Sequence, residues 1–565
     1  MIEFRETSDR GSAQSFSAAN ALREEALSEL SPKVGLVEER VELLNTRVDN
    51  EAAEKDKEKV GPTDPNKEIT ATIMVKSKAS EEEMDKTLER INKREIAPLT
   101  DEEFNERFGA DPEAMKRVLK FAQENHLEVK ESDLASGKVL LKGKVKDFNE
   151  AFKVQLDDFK GPLGISRERT GTISVPRNIS TDVLGVFGLE SGNLAHSNVA
   201  KLEPPQGGPF RPRATNSLIP SDAAKAYEFP TESKGAGQGV AILQFGGAID
   251  LKDNAAYYEQ RGLKVPDISI VTVDHGKMKP GESADDEVAL DSQVIGTVAP
   301  DAKQMLLFAP NSDQGFLDAI TRATFTKPGE IPNSAISISW GAPESRWTKQ
   351  AMENMHMAFK KAALKGITVF AATGDKGAKN ETDRFTADYP ASDSLVVACG
   401  GTELRLNGEG KVDSEVSWSG SGGGISEISP VPGFQTDIKM PANANKNDKT
   451  GRGVPDIAGN ANPSTGYQIR VHGVESTMAG TSAVAPLYAA LVLQMNSILG
   501  RRVGNLHSFI YQNGKSDVFR DMTVGNNGGY DAAPGWDAVT GWGVVNGNKM
   551  LEKLKADLNR PRAIT

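Results

Sequence analysis

Residues 479–486 read Ala479-Gly480-Thr481-Ser482-Ala483-Val484-Ala485-Pro486, and the apolar run Leu487 to Leu499 follows them. The pattern predicts a tight loop that delivers Ser482 to the first turn of a buried helix, because proline is tolerated only in that turn. A helix N-terminus offers unpaired N–H groups and a partial positive charge, which would favour an incipient alkoxide. Ser482 is therefore a candidate nucleophile. The alternative is a serine that merely caps a core helix.

Composition limits the partners and the compartment of the protein. A chain of 565 residues is long enough for two or three domains. The net charge of -12 argues against nucleic acid and anionic membrane as main partners. The sequence has no run of about 18 apolar residues, so no membrane-spanning helix is expected. The N-terminus lacks the apolar core of a signal peptide. Cys399 is the only cysteine, so no intrachain disulfide can form.

Pattern changes along the chain predict four segments. Residues 1–66 are charged and are expected to form a mobile or partly helical arm. Residues 67–190 combine strand-like alternation with amphipathic helices, which predicts a small α+β domain. Residues 191–216 are rich in proline, glycine and arginine, as in a protease-sensitive linker. Over residues 217–565 strands and helices alternate, which predicts a doubly wound parallel sheet with helices on both faces.

Three carboxylates are notable in this alternating region. Glu287 and Asp291 lie about one helical turn apart, so both face the same side of a helix with mostly apolar neighbours. Two such carboxyls would share a proton, which raises an apparent pKa of the pair; a solvated acidic face is the alternative. Asp375 follows Gly374 beyond an apolar strand, which is typical of a site but also of a plain turn.

A serine hydrolase commonly uses histidine as its general base. The chain offers His126, His196, His275, His356, His472 and His507. His275 in Asp274-His275-Gly276 is the best candidate among them. No Asp-Ser-Gly or Asp-Thr-Gly strand precedes it, as would be expected in a subtilisin-like enzyme. A histidine-dependent protease is therefore the less favoured alternative.

The grouping of Gly480-Thr481-Ser482 with Glu287, Asp291 and Gly374-Asp375 resembles the sedolisin family of serine-carboxyl peptidases, most closely its kumamolisin branch. Supporting motifs follow in family order: Ser337-Ile338-Ser339-Trp340-Gly341, Gly451-Arg452-Gly453-Val454-Pro455-Asp456 and Pro534-Gly535-Trp536-Asp537. The resemblance spans about residues 67 to 550. It implies a subtilisin-like α/β catalytic domain over 217–565 and a ferredoxin-like α+β prodomain over 67–190. The prodomain would be chaperone and inhibitor, released by autocleavage in the linker near Arg211 to Ser217.

The resemblance also implies a role for each candidate residue. Ser482 would be the nucleophile, Glu287 its general base and Asp291 the residue that holds Glu287 in place. Asp375 would donate a hydrogen bond to the oxyanion of the tetrahedral intermediate. A carboxylate base with a pKa of about 4 still works in acid, and Asp375 helps only while it is neutral. Activity is therefore expected to rise toward acid pH and to fall near neutrality.

Further residues take their roles from the same resemblance. Asp388 and Trp340 are assigned to the substrate-binding site. Gln244 stands where the kumamolisin branch has a glutamate that extends the acid network toward Trp340, so an altered pH profile is expected. One structural Ca²⁺ ion is implied near the C-terminus, with an all-oxygen shell. Its ligands would be the carboxylates of Asp521 and Asp537 and the backbone carbonyls of Met522, Ala533 and Gly535.

These features together predict an acid-active serine-type endopeptidase made as an autoactivating zymogen. It is expected to act on proteins and peptides, to be a monomer, and to bind neither nucleic acid nor membrane. Family resemblance implies secretion, although the sequence shows no signal peptide. Two alternatives remain open besides the histidine enzyme: a tripeptidyl-peptidase, which the family also contains, and a catalytically silent binding protein of the same fold.

Overall fold

The computed structural model describes residues 39–46, 57–161, 164–201, 216–380 and 382–559. Hydrophobic cores divide this part of the chain into two units. One core is built between Leu43 and Leu189. Two larger cores belong almost entirely to the chain from Ala195 onward, one on each face of a large sheet.

The first unit is an antiparallel sheet with helices packed on it. Four strands form that sheet in the order Glu128–Ser132, Lys138–Lys144, Glu68–Val75 and Val183–Phe187. Its helices are Glu81–Asn92, Asp101–Phe108, Pro112–Glu124 and Val145–Phe152. Ser80 and Thr100 cap the first two by accepting the amide of the third helical residue. This is the α+β arrangement that the residue pattern predicts.

The boundary of the expected arm at residue 66 is wrong. Arg40–Glu42 pairs with Ser174–Pro176, and Glu58–Pro62 pairs with Gln155–Gly161, so both short segments belong to the first unit. Gly164–Thr170 completes the second of these small sheets. The strand Glu58–Pro62 is largely exposed, so its charged residues give no alternating pattern in the sequence. Residues 1–38 and 47–56 of the expected arm lie outside the described residues.

The second unit contains the predicted parallel sheet. The strand order is Asp267–Thr272, Lys303–Phe308, Gly239–Gln244, Asn333–Ile338, Thr368–Ala372, Val397–Leu406, Ile457–Asn460, Val544–Val545 and Phe519–Arg520. All neighbours are parallel except the last pair, and Val412–Ser417 adds antiparallel to Val397–Leu406. Ser339 separates the strand Asn333–Ile338 from a short strand outside this sheet, Trp340–Pro343.

Successive residues of the central strand point to opposite faces of the sheet. Ile242 joins the core beneath the helices Asp285–Val298 and Val484–Leu499, whereas Leu243 joins the core beneath Asp313–Thr324 and Lys349–Leu364. The remaining helices are Pro220–Ala226, Leu251–Glu259, His507–Asn513 and Gly547–Asn559. Thr481–Leu499 has the length and apolar composition of a membrane span, but 83% of its most apolar stretch is buried inside the protein, as in a core helix.

Charged side chains dock the first unit on the second. Lys138 is only 5% exposed, and its Nζ lies 2.9 Å from Asp318 Oδ2 and 3.3 Å from Asp274 Oδ1. At the other end of the contact, Lys360 pairs with Glu81 at 2.6 Å and with Asp85 at 2.7 Å. Removing one partner of a buried ion pair is costly, because the other charge stays buried. These ion pairs join the two units.

Candidate active site

The loop before the helix Val484–Leu499 presents Ser482 as predicted. Gly480 has a φ of 98°, and a Cβ there would lie 2.2 Å from the carbonyl oxygen of Asn198, so only glycine fits. Ser482 lies in the short 3-10 turn Thr481–Ala483 that precedes the helix. Ala483 is the N-cap residue, and no side chain caps the helix. The alternative in which Ser482 merely caps the helix is therefore wrong.

A buried carboxyl group accepts a hydrogen bond from the hydroxyl of Ser482. The Oγ donates to Glu287 Oε2 at 2.8 Å, and both residues are fully buried. Glu287 lies in the first turn of Asp285–Val298, a helix whose residues are all buried. The other oxygen, Glu287 Oε1, has no hydrogen-bond partner among the described residues. The geometry therefore places a buried serine hydroxyl within hydrogen-bond distance of a buried carboxyl, which proton transfer between them would require.

Asp291, one turn further along the same helix, accepts hydrogen bonds at both oxygens. Ser339 Oγ donates to Oδ1 at 2.6 Å, and Gln244 Nε2 donates to Oδ2 at 2.6 Å. The indole N–H of Trp340 donates to Gln244 Oε1 at 3.1 Å. Ser339 and Gln244 stand at the carboxyl ends of adjacent strands, where parallel sheets place ligand sites.

Asp375 follows the neighbouring strand Thr368–Ala372 and faces the loop before Ser482. The backbone N–H of Thr481 donates to Asp375 Oδ1 at 2.8 Å, and the Thr481 hydroxyl donates to the same oxygen at 2.9 Å. Asp375 Oδ2 is shielded from solvent and has no partner among the described residues. A Cβ on Gly480 would lie 2.3 Å from this oxygen and 2.2 Å from the Asn198 carbonyl oxygen. The open oxygen of Asp375 is therefore beside a peptide carbonyl.

Burial dominates the titration of the three carboxyls. It raises the pKa of Glu287, and the charge of Asp291 raises it further. Burial raises the pKa of Asp291 to about 8 against the opposing hydrogen bonds from Ser339 and Gln244. Burial also raises the pKa of Asp375 to about 7, against the two bonds from Thr481. With its pKa raised to about 7, Asp375 is neutral through the acid range and can donate a hydrogen bond.

The segment after the first unit lies across this site as a strand. His196–Ser197 pairs antiparallel with Trp340–Pro343, and Ala200–Lys201 pairs antiparallel with Val474–Ala479. Between the two pairings, Asn198 N donates to Ser339 O at 3.0 Å and Ser482 N donates to Asn198 O at 3.2 Å. The segment is therefore bound through its backbone, with the Asn198 carbonyl at the amide of Ser482. Residues 202–215 of the expected linker lie outside the described residues.

The two residues assigned to substrate binding border this strand. Trp340 pairs with Ser197 through its backbone. Asp388 is buried on a short strand next to Trp340–Pro343, and its Oδ2 lies 4.0 Å from His196 Nε2. Both residues are thus next to the bound segment, on its N-terminal side relative to Asn198.

The residues assigned to calcium form a separate loop. Asp521 Oδ2 accepts from Gly535 N at 2.7 Å, and Asp537 Oδ2 accepts from Ala533 N at 3.1 Å. Within the described ranges, no three or more histidine, cysteine, aspartate or glutamate side chains form a group that could hold a metal ion. The arrangement thus offers two carboxylates on one loop, and any further ligands would be backbone oxygens such as that of Met522.

Two residues of the site carried no sequence prediction, Ser339 and Thr481. Both lie in motifs quoted for the resemblance, but a serine or threonine in such a motif does not reveal its partner. None of the six histidines is among the hydrogen-bond partners of Ser482 in the described part of the chain. His275, the best candidate in the sequence, lies in a turn with a φ of 62°. His356 and His507 contact other aspartates, Asp393 and Asp456.

Comparison with known proteins agrees with this site and fold. The family model "Pro-kumamolisin, activation domain" matches residues 55–191, and the model "Subtilase family" matches residues 274–516. Kumamolisin of Bacillus sp. (strain MN-32) is 37% identical over 487 residues, covering 83% of this chain and 87% of that protein. Tripeptidyl-peptidase sed5 of Aspergillus fumigatus is 25% identical over 569 residues, covering 88% of this chain and 95% of that one.

Among solved structures, Pseudomonas sedolisin complexed with two molecules of pseudo-iodotyrostatin matches with a TM-score of 0.55 and 24% identity. The match covers 61% of this chain and 99% of that chain, and it supports the fold alone. The kumamolisin match, by contrast, is close and long enough to decide the family. The chain therefore belongs to the sedolisin family of serine-carboxyl peptidases and carries a pro-kumamolisin activation domain before a subtilase-like peptidase domain.

Proposed function

We propose that the chain is an acid-active serine-type endopeptidase that is made as a zymogen and cleaves itself. The hydrogen bond from Ser482 Oγ to Glu287 Oε2 carries this proposal. A histidine base would be protonated in acid, whereas a carboxylate still accepts a proton there. The catalytically silent alternative is disfavoured, because nucleophile, base, orienting aspartate and oxyanion donor meet at one site.

Each side chain has one role in the proposed reaction. Glu287 takes the hydroxyl proton of Ser482 as Oγ attacks the carbonyl carbon of the scissile peptide. The neutral Asp375 donates from Oδ2 to the resulting oxyanion, and the amide of Ser482 donates as well. Glu287 then gives its proton to the leaving nitrogen, and water releases the acyl group from Ser482 by the same steps. Asp375 ionises as pH rises through about 7, so activity is lost in that range.

The path of the bound segment favours an endopeptidase over a tripeptidyl-peptidase. The chain runs from His196 through Asn198 to Lys201 and is paired on both sides of the Ser482 amide. A site that admits a continuous chain on the N-terminal side of the scissile carbonyl does not require a free substrate N-terminus. We also propose that the enzyme is monomeric and works outside the cell, as the family resemblance implies.

The same geometry predicts where the zymogen first cuts itself. The Asn198 carbonyl accepts from the amide of Ser482, so we propose that Ser482 first attacks the Asn198–Val199 peptide. Incubation of the purified chain at about pH 4, where carboxyl groups titrate, is expected to produce a new N-terminus at Val199. Mass spectrometry of the fragments measures this directly. A later cut near Arg211 to Ser217 stays a prediction; residues 211–215 lie outside the described residues.

The Ser482→Ala variant is the matched control and should stay intact under the same conditions. An intact wild-type chain that also fails to digest denatured protein would contradict the proposed function. A first cut only downstream of residue 201 would instead contradict the assignment of the bound segment as the first substrate.

We further propose that the loop carrying Asp521 and Asp537 holds one Ca²⁺ ion. Its donor set is oxygen only, as Ca²⁺ prefers. Burial raises the pKa of Asp537 to about 6 and also raises the pKa of Asp521. Both carboxylates are therefore costly to ionise without a nearby positive charge, which a bound dication would supply. The ion would neutralise these charges and tie the loop together. Asn527 O in the same loop accepts from Ala378 N, which links the loop to the segment after Asp375.

Removal of calcium by a chelator is therefore expected to lower the melting temperature by roughly 5 °C, since a ligand that binds only the folded state stabilises it. Calorimetry with and without added Ca²⁺ measures the shift. The Asp537→Asn variant should melt at the lower temperature in both conditions. Identical melting of the wild-type protein with chelator and with Ca²⁺ would rule out the site.

A further inference from the structure

The helix that carries Glu287 begins with three acidic residues, Asp285, Asp286 and Glu287, all of them buried. Two of them have partners within their own unit. Glu287 accepts from Ser482, and Asp285 accepts from two backbone amides. Asp286 differs, because its carboxylate forms an ion pair with the ammonium group of Lys201, which belongs to the bound segment.

The path of the bound segment gives Lys201 a defined place relative to the site. The carbonyl of Asn198 lies at the amide of Ser482, so Lys201 is the third residue after the proposed scissile bond. Ala200 and Lys201 pair antiparallel with the strand Val474–Ala479. Such backbone pairing holds peptides of many sequences in register, and contacts to individual side chains then give specificity.

The side chains that follow the proposed scissile bond have different surroundings. Val199 and Ala200 are partly buried against the larger hydrophobic core. Lys201 meets a charge instead. Its side chain is 49% exposed, whereas the side chain of Asp286 is only 11% exposed. The carboxylate is thus a fixed and shielded partner, and the lysine reaches it from the solvent side.

The position of Asp286 suits a binding site for a cation. A carboxylate in the first turn of a helix is stabilised by the helix dipole, but a shielded charge without a partner is costly. Asp286 is also the residue before Glu287, so its distance from the reacting atoms is set by one helical turn. A peptide with a basic side chain at the position of Lys201 would therefore satisfy this carboxylate while its scissile bond lies at Ser482.

We infer that Asp286 and the strand Val474–Ala479 form a substrate subsite on the leaving-group side, which selects lysine or arginine at the third residue after the scissile bond. The inference rests on the proposed function and deepens it. Lys201 occupies this subsite in the uncleaved chain. When the segment leaves, the same carboxylate and the same strand edge are available to the next peptide.

Two matched peptides test the inference on the matured wild-type enzyme. Both copy residues 196–201, but the second has norleucine in place of the lysine, which keeps the length of the side chain and removes its charge. At about pH 5, where an ordinary aspartate is ionised, kcat/KM is expected to be about fivefold higher for the lysine peptide, as for a half-exposed ion pair. High salt should reduce this ratio, because salt screens such a pair.

Variants of Asp286 assign the preference to its carboxylate. Asp286→Asn should cleave the two peptides at equal rates, and Asp286→Lys should prefer a third peptide with glutamate at the same position. The ratio between peptides cancels any general effect of these substitutions on Glu287. Glu475→Gln is the matched control, since Glu475 lies on the same strand but pairs with Arg261. It should keep the ratio of the wild-type enzyme.

Equal rates on the lysine and norleucine peptides in the wild-type enzyme would overturn the inference, and would mean that the ion pair only fastens the uncleaved chain. A lysine preference that persists in Asp286→Asn would overturn it as well. In both cases cleavage of the peptides would still support the proposed function. A wild-type enzyme that cleaves neither these peptides nor denatured protein would contradict the proposed function itself.

Discussion

The Glu287→Gln variant is expected to lose at least ~10⁴-fold in kcat/KM at about pH 4, an effect of the size seen when a serine peptidase loses its base. Glutamine has nearly the same shape and could still accept a hydrogen bond from Ser482, but it cannot take the proton. The loss should therefore lie in kcat, with KM little changed. Rates of peptide hydrolysis at saturating and at limiting substrate concentrations give kcat and KM separately.

Self-cleavage would also fail in this variant, so the measurement needs a separate route to the mature enzyme. Trace wild-type enzyme with a removable tag can cleave the linker of the variant in trans. His275→Gln is the matched control for the histidine alternative and should retain full activity. Activity of Glu287→Gln near that of the wild type, together with loss in His275→Gln, would overturn the assignment of the base.

Asp375→Ala is expected to lower kcat by about 10²–10³-fold, as the loss of one oxyanion donor does in other peptidases. The two Thr481 donors occupy Oδ1, so the proton of the neutral acid resides on Oδ2, beside the Asn198 carbonyl. Alanine removes this donor at every pH. The kcat of the cleaved enzyme on a peptide substrate, measured between about pH 3 and pH 8, records the loss.

Asp375→Asn provides the matched comparison, because its amide can donate whatever the pH. The pKa of Asp375 is about 7, so ionisation above that value removes the donor from the wild-type enzyme only. The asparagine variant should therefore keep its activity above the pH at which the wild-type activity falls. An alkaline limb at the same pH in both proteins would show that another group ends the activity.

Local patterns predicted much of the fold. The helix Lys349–Leu364 begins and ends where local sequence signals lie, because Thr348 caps one end and Gly366 follows the other. The candidate carboxyls Glu287, Asp291 and Asp375 were found in the sequence because helical spacing and family motifs are local signals. By contrast, the edge strand Asp267–Thr272 is half exposed and gave no clear pattern.

Non-local pairings could not be predicted from these patterns. Proline and glycine density indicates a linker, but it does not reveal that His196–Ser197 adds to Trp340–Pro343 across the active site. Gln244 was recognised as a departure from the family, whereas its bond to Asp291 depends on the strand Gly239–Gln244 and the helix Asp285–Val298 meeting in space. The strand Glu58–Pro62 was assigned to the arm for the same reason, since its partner lies about a hundred residues away.

Trapping of the acyl-enzyme tests the pairing of Ser482 with Glu287 most directly. The matured enzyme would be mixed with a peptide ester at about pH 4, quenched within a turnover, and digested for mass spectrometry. We expect the acyl group on the peptide that contains Ser482, and no acyl group in the Glu287→Gln variant. Acylation of a different residue, or undiminished labelling of Ser482 without Glu287, would contradict the proposed mechanism.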